Sequence, residues 1–239
     1  MENSAETLKD ILQWNIAGWS PVIEYWSEVL NTRPRPLRVL ELGARDGGIS
    51  LFFASQGCEV ICSDIRPPSD AAKALHRKHS VENKIQYATL DATRIDLPSA
   101  GFDVVAFKSV LGGVAFHQGF DGQKRAIVEI MRVLRPGGHL LFAENLCGTI
   151  LHRALRKAFI RNRGPEGTWI YPSLTDFRSL LQPFSLVEYR VSGVLSPLGR
   201  TEKQRTWLHR IDSSLERLVP ESQRMIVFGS ARKADHDNA

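Results

Sequence analysis

From about residue 37 onward, short apolar runs alternate with amphipathic stretches, and this alternation sets the expected architecture. Leu37–Leu42, Glu59–Asp64, Lys84–Ala88, Phe102–Phe107 and His139–Glu144 have the length and apolar content of strands covered on both faces. Between them, Ile49–Ser55, Asp70–His79 and Gln123–Leu134 read as helices, the last stopped by Arg135-Pro136-Gly137-Gly138. Such an alternation predicts an α/β protein with a doubly wound, mostly parallel sheet and ligands at the carboxyl ends of its strands.

The flanks are less regular. Leu8, Ile11, Leu12 and Ile16 recur at helical spacing, followed by Trp14, Trp19, Tyr25 and Trp26, before the break Arg33-Pro34-Arg35-Pro36. This predicts an N-terminal helical appendage whose aromatic residues either pack as core or close over a ligand pocket. Leu151–Arg163 reads as a basic amphipathic helix, with Leu151, Leu155, Ala158 and Phe159 on one side and Arg153, Arg156, Lys157, Arg161 and Arg163 elsewhere. Such a helix is either a solvated face over a packed stripe or a surface for phosphate or an anionic membrane. Trp169, Tyr171 and Pro172 precede a helix over Leu174–Leu181. Ser185–Ser192 and Gln223–Ser230 read as two closing strands around a polar helix over Thr201–Leu218, which predicts an antiparallel edge hairpin and seven strands in all. No low-complexity linker divides the chain. One domain is expected over residues 1–239, with a helical cap over 1–36, a ligand-binding core over 37–144 and substrate-side elements over 145–239.

The segment Arg38 to Leu51 concentrates the candidate chemistry. Gly43, Gly47 and Gly48 follow the first strand and open the first core helix, so a ligand can approach the backbone and face the helix's first amides. Asp64 ends the second strand about 20 residues later, where a carboxylate can accept two hydrogen bonds from a ribose diol or can simply cap a helix. A nicotinamide dinucleotide fits these two features as well.

Charge and cysteine content change the picture little. The 31 Lys and Arg against 26 Asp and Glu give a net charge of +5, which permits an anionic partner without requiring one. Cys58, Cys62 and Cys147 are odd in number and lack CxxC spacing, so they read as free thiols. No cluster has metal-ligand spacing, and no metal is expected. No apolar run is long enough to span a bilayer and the start Met1-Glu2-Asn3-Ser4 is polar, so a cytoplasmic protein is expected.

Taken in order, these pieces resemble the class I S-adenosylmethionine-dependent methyltransferases. Glu41-Leu42-Gly43-Ala44-Arg45-Asp46-Gly47 stands for the family's acidic, glycine-rich turn, Asp64 for its ribose carboxylate and Asp91-Ala92 for its adenine-side acidic position. Phe102-Asp103-Val104-Val105 and Leu134-Arg135-Pro136-Gly137-Gly138-His139-Leu140 match its next strand and the following turn. The resemblance implies a Rossmann-like methyltransferase fold with S-adenosylmethionine as cofactor, held by Glu41, Gly43, Ala44, Arg45, Asp46, Gly47, Asp64, Ile65, Asp91, Ala92, Phe107, Lys108 and Ser109. Cys62-Ser63-Asp64, Phe107-Lys108-Ser109-Val110-Leu111-Gly112-Gly113 and Phe142-Ala143-Glu144-Asn145-Leu146 are similar to a subgroup associated with bacterial surface-polysaccharide gene sets, which implies a glycan acceptor. The family's middle glycine is Arg45 here, whose charge suits a methionine carboxylate if it does not point to solvent.

Methyl transfer from a sulfonium is an in-line displacement, so the protein chiefly aligns donor and acceptor. The resemblance therefore implies O-methylation of a sugar or other small hydroxylated acceptor, with N- or C-methylation, or a cofactor-binding regulator without turnover, as alternatives. A hydroxyl acceptor needs a base, for which His117 ranks first, Glu144 second and His152 third. Lys108 either holds an anionic acceptor or braces the cofactor loop. The family's Asp/Asn-Pro-Pro-aromatic motif for amine acceptors is missing after Phe107, so no nucleic-acid partner is expected.

Overall fold

The computed structural model describes residues 5–34, 36–149, 152–154 and 169–235. Two helices, α1 (Ala5–Leu12) and α2 (Ile16–Asn31), precede the sheet. The strands are β1 (Arg38–Leu42), β2 (Glu59–Asp64), β3 (Ile85–Thr89), β4 (Phe102–Lys108), β5 (Leu134–Asn145), β6 (Leu186–Ser192) and β7 (Ile226–Arg232). They are joined by α3 (Gly48–Ser55), α4 (Asp70–Lys78), α5 (Leu111–Val133), α6 (Leu174–Leu180) and α7 (Glu202–Leu215). One seven-stranded sheet results, in the order β3-β2-β1-β4-β5-β7-β6. The pairs β1–β2, β1–β4, β2–β3 and β4–β5 are parallel, whereas β7 runs antiparallel to both β5 and β6. The doubly wound sheet read from the sequence is therefore present, with the antiparallel pair at one edge.

Side chains alternate between two cores with the period of two that a strand imposes. Val39, Val104, Ala106, Leu141, Ala143, Ile226 and Phe228 meet α1, α2 and α3 on one face. Leu40, Leu42, Val105, Phe107, Leu140, Phe142 and Val227 meet α5 and α6 on the other. The first core holds the aromatic residues of the N-terminal segment: Trp19 and Trp26 are fully buried, and Trp26 stacks on Phe53 with ring centroids 5.8 Å apart. Burial of Phe52 and Phe53 contributes about 1.5–3 kcal/mol each, and their ring contacts with Trp26 tie the N-terminal helices to α3.

Three boundaries differ from the sequence reading. The helix after β4 begins at Leu111, not Gln123, and is broken at Gly119, where φ is +66°. Gly112, Gly113 and Gly119 dilute the helical pattern there. That first turn is secured instead by Gln123, whose side-chain amide donates to the Leu111 carbonyl, and by Tyr171 and Trp169 packed where a Cβ on Gly112 would stand. Leu134 to Gly138 already belong to β5, with an irregular register against β4 that accommodates Gly137 at φ +69°. The N-terminal helical pattern is two helices, with Gln13 and Asn15 at positive φ between them. The basic helix expected over 151–163 lies outside the described residues except for residues 152–154. Among the described residues no helix is long and apolar enough to cross a membrane.

Candidate functional site

The carboxyl ends of β1, β2 and β4 converge on one edge of the sheet, and strand parity decides which of their side chains share a face. Glu41 pairs in register with Cys62 on β2 and Ala106 on β4. Asp64 and Lys108 each lie two residues beyond those partners, so Glu41, Asp64 and Lys108 point to the same side, the side covered by α1 and α2. Glu144 falls on the opposite side, toward α5.

The turn after β1 is built by its neighbours. Gly43 and Gly47 sit at φ +70° and +77°, a region only glycine enters without cost. A Cβ on Gly43 would stand 2.5 Å from Val110 Cγ2, so the loop after β4 packs directly on this turn. The Ala44 amide donates to the Ser63 carbonyl at 2.8 Å, and the Ser63 hydroxyl donates to the Glu41 carbonyl at 2.5 Å, which stitches the turn to β2. His76, buried on α4, reaches the Gly47 carbonyl through Nε2 at 2.8 Å and the Tyr87 hydroxyl through Nδ1 at 2.8 Å. Because a carbonyl only accepts, Nε2 carries the proton and Nδ1 accepts from Tyr87. His76, Tyr87, Ser50 and Ser63 escaped the sequence reading, since nothing in the local pattern around them signals a contact to the turn.

Asp64 uses its carboxylate for backbone donors, with Oδ2 accepting from Arg45 N at 2.9 Å and Oδ1 from Arg66 N at 3.2 Å. Each oxygen keeps a further lone pair, and the neighbouring Ile65 is 62% exposed. A carboxylate with spare acceptors beside an uncovered apolar side chain fits a ribose diol and an adenine face. Asp91 accepts from the amide and hydroxyl of Thr93, both at 2.8 Å, and Ala92 is half-buried beside it. Arg45 takes the positive φ of +51° in place of a glycine, and its largely exposed side chain lies 3.7 Å from Asp46. Asp46 also accepts from the Ser69 hydroxyl at 3.2 Å. The Arg45 side chain thus faces solvent next to a carboxylate of its own turn. Phe107 is fully buried in the α5-side core, and Ser109, at φ +59°, accepts from the Asn145 side-chain amide at 2.8 Å.

Lys108 has an unusual setting. Its Nζ lies 4.6 Å from the ring centroid of Trp14 and 5.3 Å from that of Trp19, two indoles in edge-to-face contact. Among the described residues it makes no hydrogen bond or ion pair. Desolvation and then the Arg45 guanidinium push its amine down to about 7, against the pull of Glu41 and Glu144. Burial pushes the Glu41 carboxyl up to about 7, although the Ser50 hydroxyl donates to it and Lys108 draws it down.

The candidate bases are dispersed. Glu144 is fully buried; Oε2 accepts from Val110 N at 2.9 Å and Leu111 N at 2.7 Å, and Oε1 from Asn145 N at 2.9 Å. Its carboxylate thereby caps the N-terminus of α5, while burial still pushes it up to about 7. His117 is exposed on α5 against Phe116, six residues past the start of the helix and so about 9 Å along its axis. His152 is buried, with Nδ1 accepting from the Thr149 amide at 3.0 Å. The structure thus gathers Glu41, Asp64 and Lys108 on one face, whereas α5, which carries His117, packs on the other.

Residues 40–142, which carry this edge of the sheet, match a family described as a methyltransferase domain. The chain is 34% identical over 105 residues to the malonyl-[acyl-carrier protein] O-methyltransferase of Enterobacter lignolyticus, covering 44% of this chain and 38% of that protein. The chain spans less than half the length of the curated relatives it matches. Among solved structures, a SAM-dependent methyltransferase of Methanosarcina mazei superposes with a TM-score of 0.64 at 19% identity, covering 87% of this chain and 98% of that one. Phosphoethanolamine N-methyltransferase 2 of Haemonchus contortus, solved with S-adenosyl-L-methionine, superposes at 0.63 and 17% identity, covering 96% of this chain and 56% of that one. These structural likenesses carry the fold, and the family model and the Enterobacter relative agree with the resemblance drawn from residues 37–144.

Proposed function

We propose that the protein transfers a methyl group from S-adenosylmethionine to an oxygen of a small hydroxylated acceptor, a sugar being the reading that the polysaccharide-associated motifs favour. The observation that carries the donor side is the shared face of Glu41, Asp64 and Lys108 beside the glycine turn. Asp64 would hold the ribose, Ile65 and Asp91 the adenine side, and the turn from Gly43 to Gly47 the methionine end. When bound, S-adenosylmethionine supplies an activated methyl on sulfur, and the chain's own residues position and desolvate it. Trp14 and Trp19 contribute by closing the face opposite the sheet and excluding water from the pocket.

Oxygen as the acceptor atom is supported by two features. Lys108-Ser109-Val110-Leu111 stands where amine-methylating relatives carry Asp/Asn-Pro-Pro-aromatic, and the relative at 34% identity is an O-methyltransferase. An N-acceptor is the second reading, favoured by the fold shared with phosphoethanolamine N-methyltransferase 2. The test is incubation with S-adenosylmethionine carrying a labelled methyl group and a panel of sugars, carboxylic acids, phenols and amines, read by mass spectrometry. Label on a hydroxyl or carboxyl oxygen is expected. Label confined to amines would transfer the assignment to the second reading, and cofactor binding with no label on any acceptor would point to a non-catalytic protein.

A further inference from the structure

We propose that Lys108 takes the proton from the acceptor's hydroxyl as the methyl group is transferred, an inference that rests on the O-methyltransferase reading above. Its side chain leaves the carboxyl end of β4, immediately beside the glycine turn, since Leu42 pairs with Phe107 in register and Val110 packs on Gly43. It lies on the face shared with Glu41 and Asp64 and keeps part of its surface exposed.

The groups around Lys108 decide its protonation. From β1, Glu41 faces it with a carboxyl already engaged by Ser50. From β5, Glu144 acts at longer range with its oxygens held by three backbone amides. Arg45 repels it from the turn, and Asp64 of β2 lies beyond Glu41. From the helical cap come the two indole faces of Trp14 and Trp19, with the Arg205 guanidinium also 5.8 Å from Trp14 and paired to Glu202. Carboxylates and indoles favour the ammonium, while desolvation and Arg45 favour the amine. A lysine locked in an ion pair would stay a cation, and Lys108 has no such partner among the described residues.

Charge then moves in a balanced way. A like charge held on the neighbouring turn lowers the pKa of Lys108 further, so the residue is an amine in the donor complex. The acceptor's O–H proton passes to Lys108 Nζ while its oxygen forms the new bond to the methyl carbon. The methyl–sulfur bond breaks with its electron pair going to sulfur. The single positive charge thus moves from sulfur to Lys108, the net charge of the pocket is unchanged, and no further reactant is needed. His117, exposed on α5, is not required for this step.

The test is the titration of Lys108 itself, by NMR of protein with 13Cε-labelled lysines, with the K108R spectrum assigning the resonance and K108M as a second assignment should K108R not fold. It is run on the free protein and with saturating S-adenosylmethionine or S-adenosylhomocysteine. Lys108 is expected to titrate far below an ordinary lysine in the free protein, and its deprotonated-to-protonated ratio at fixed pH is expected to be about tenfold or more higher with the sulfonium than with the thioether, a shift of one unit. Titration near the ordinary value of about 10.4, or equal values in the two complexes, would overturn the assignment. Calorimetry on the same samples separates the causes: binding of S-adenosylmethionine with an ordinary Lys108 removes only this inference, whereas absence of binding removes the proposed function with it.

Discussion

His76 shows how one buried side chain on a neighbouring helix can set the shape of the glycine turn. It ties the Gly47 carbonyl to Tyr87, and a Cβ on Gly47 would come within 2.6 Å of its Nε2. Burial lowers its pKa, outweighing the Gly47 bond and Glu82, which raise it. The folded protein therefore holds this proton less well than the unfolded chain, so the stabilisation is complete above the ordinary histidine value of about 6.5 and is lost as pH falls below it. Glu41 and Glu144 act in the opposite direction: both are raised, and their contribution fades as pH rises from the ordinary carboxyl range toward 7. The comparison that isolates His76 is urea unfolding of the wild type and His76→Gln at pH 7.5 and pH 5.5. At pH 7.5 the variant should be less stable by about 1–3 kcal/mol, and the gap should shrink at pH 5.5. A gap independent of pH would assign the loss to packing alone. None of this was legible in the sequence, where His76 looks like one more polar residue on a solvated helix. Glu144 was visible only as a carboxyl at a strand end. Two of its three amide donors, Val110 N and Leu111 N, depend on α5 starting at Leu111, which the local pattern hides.

At the scale of elements, the helical cap depends on a contact across almost the whole chain. The N-terminus of α2 begins at Asn15, which is at φ +48° and offers no side-chain cap. The carboxylate of Glu202 on α7 supplies one instead, accepting from Asn15 N at 2.8 Å and Ile16 N at 3.0 Å. A carboxylate there satisfies orphan amides and suits the positive end of the helix. Trp14 and Trp19 flank this junction, so α7 indirectly holds the indoles over Lys108. Glu202→Ala should cost about 0.5–2 kcal/mol and should raise hydrogen exchange in residues 13–20 more than in β1. Unchanged exchange there would mean that the Trp cluster alone secures the cap. The sequence foretold helices and an aromatic stripe in this region and left open whether the stripe was core or lid. The core role is present: Trp19 and Trp26 are fully buried, Trp26 against Phe53, and Trp14 and Trp19 also lie beside Lys108. Deciding between them required a partner 187 residues away, which no local periodicity can reveal.

For the whole molecule, the two-faced sheet was largely legible because strands buried on both sides must be continuously apolar, and those of this chain are interrupted mainly where chemistry sits. Glu41, Asp64 and Lys108 interrupt or end β1, β2 and β4, and strand parity places them on one face beside a turn that only glycine can make at Gly43 and Gly47. The central claim is that this edge holds S-adenosylmethionine, and a dinucleotide is the competitor with the same strand, turn and carboxylate. Isothermal titration calorimetry with S-adenosylmethionine and with NAD, on the wild type and on Asp64→Ala, addresses it most directly. Saturable one-site binding of S-adenosylmethionine, no heat from NAD, and affinity weakened by about 10- to 100-fold in the variant, as expected for loss of hydrogen bonds to a charged group, are predicted. Binding of NAD in preference, or an affinity for S-adenosylmethionine unchanged by Asp64→Ala, would contradict the account.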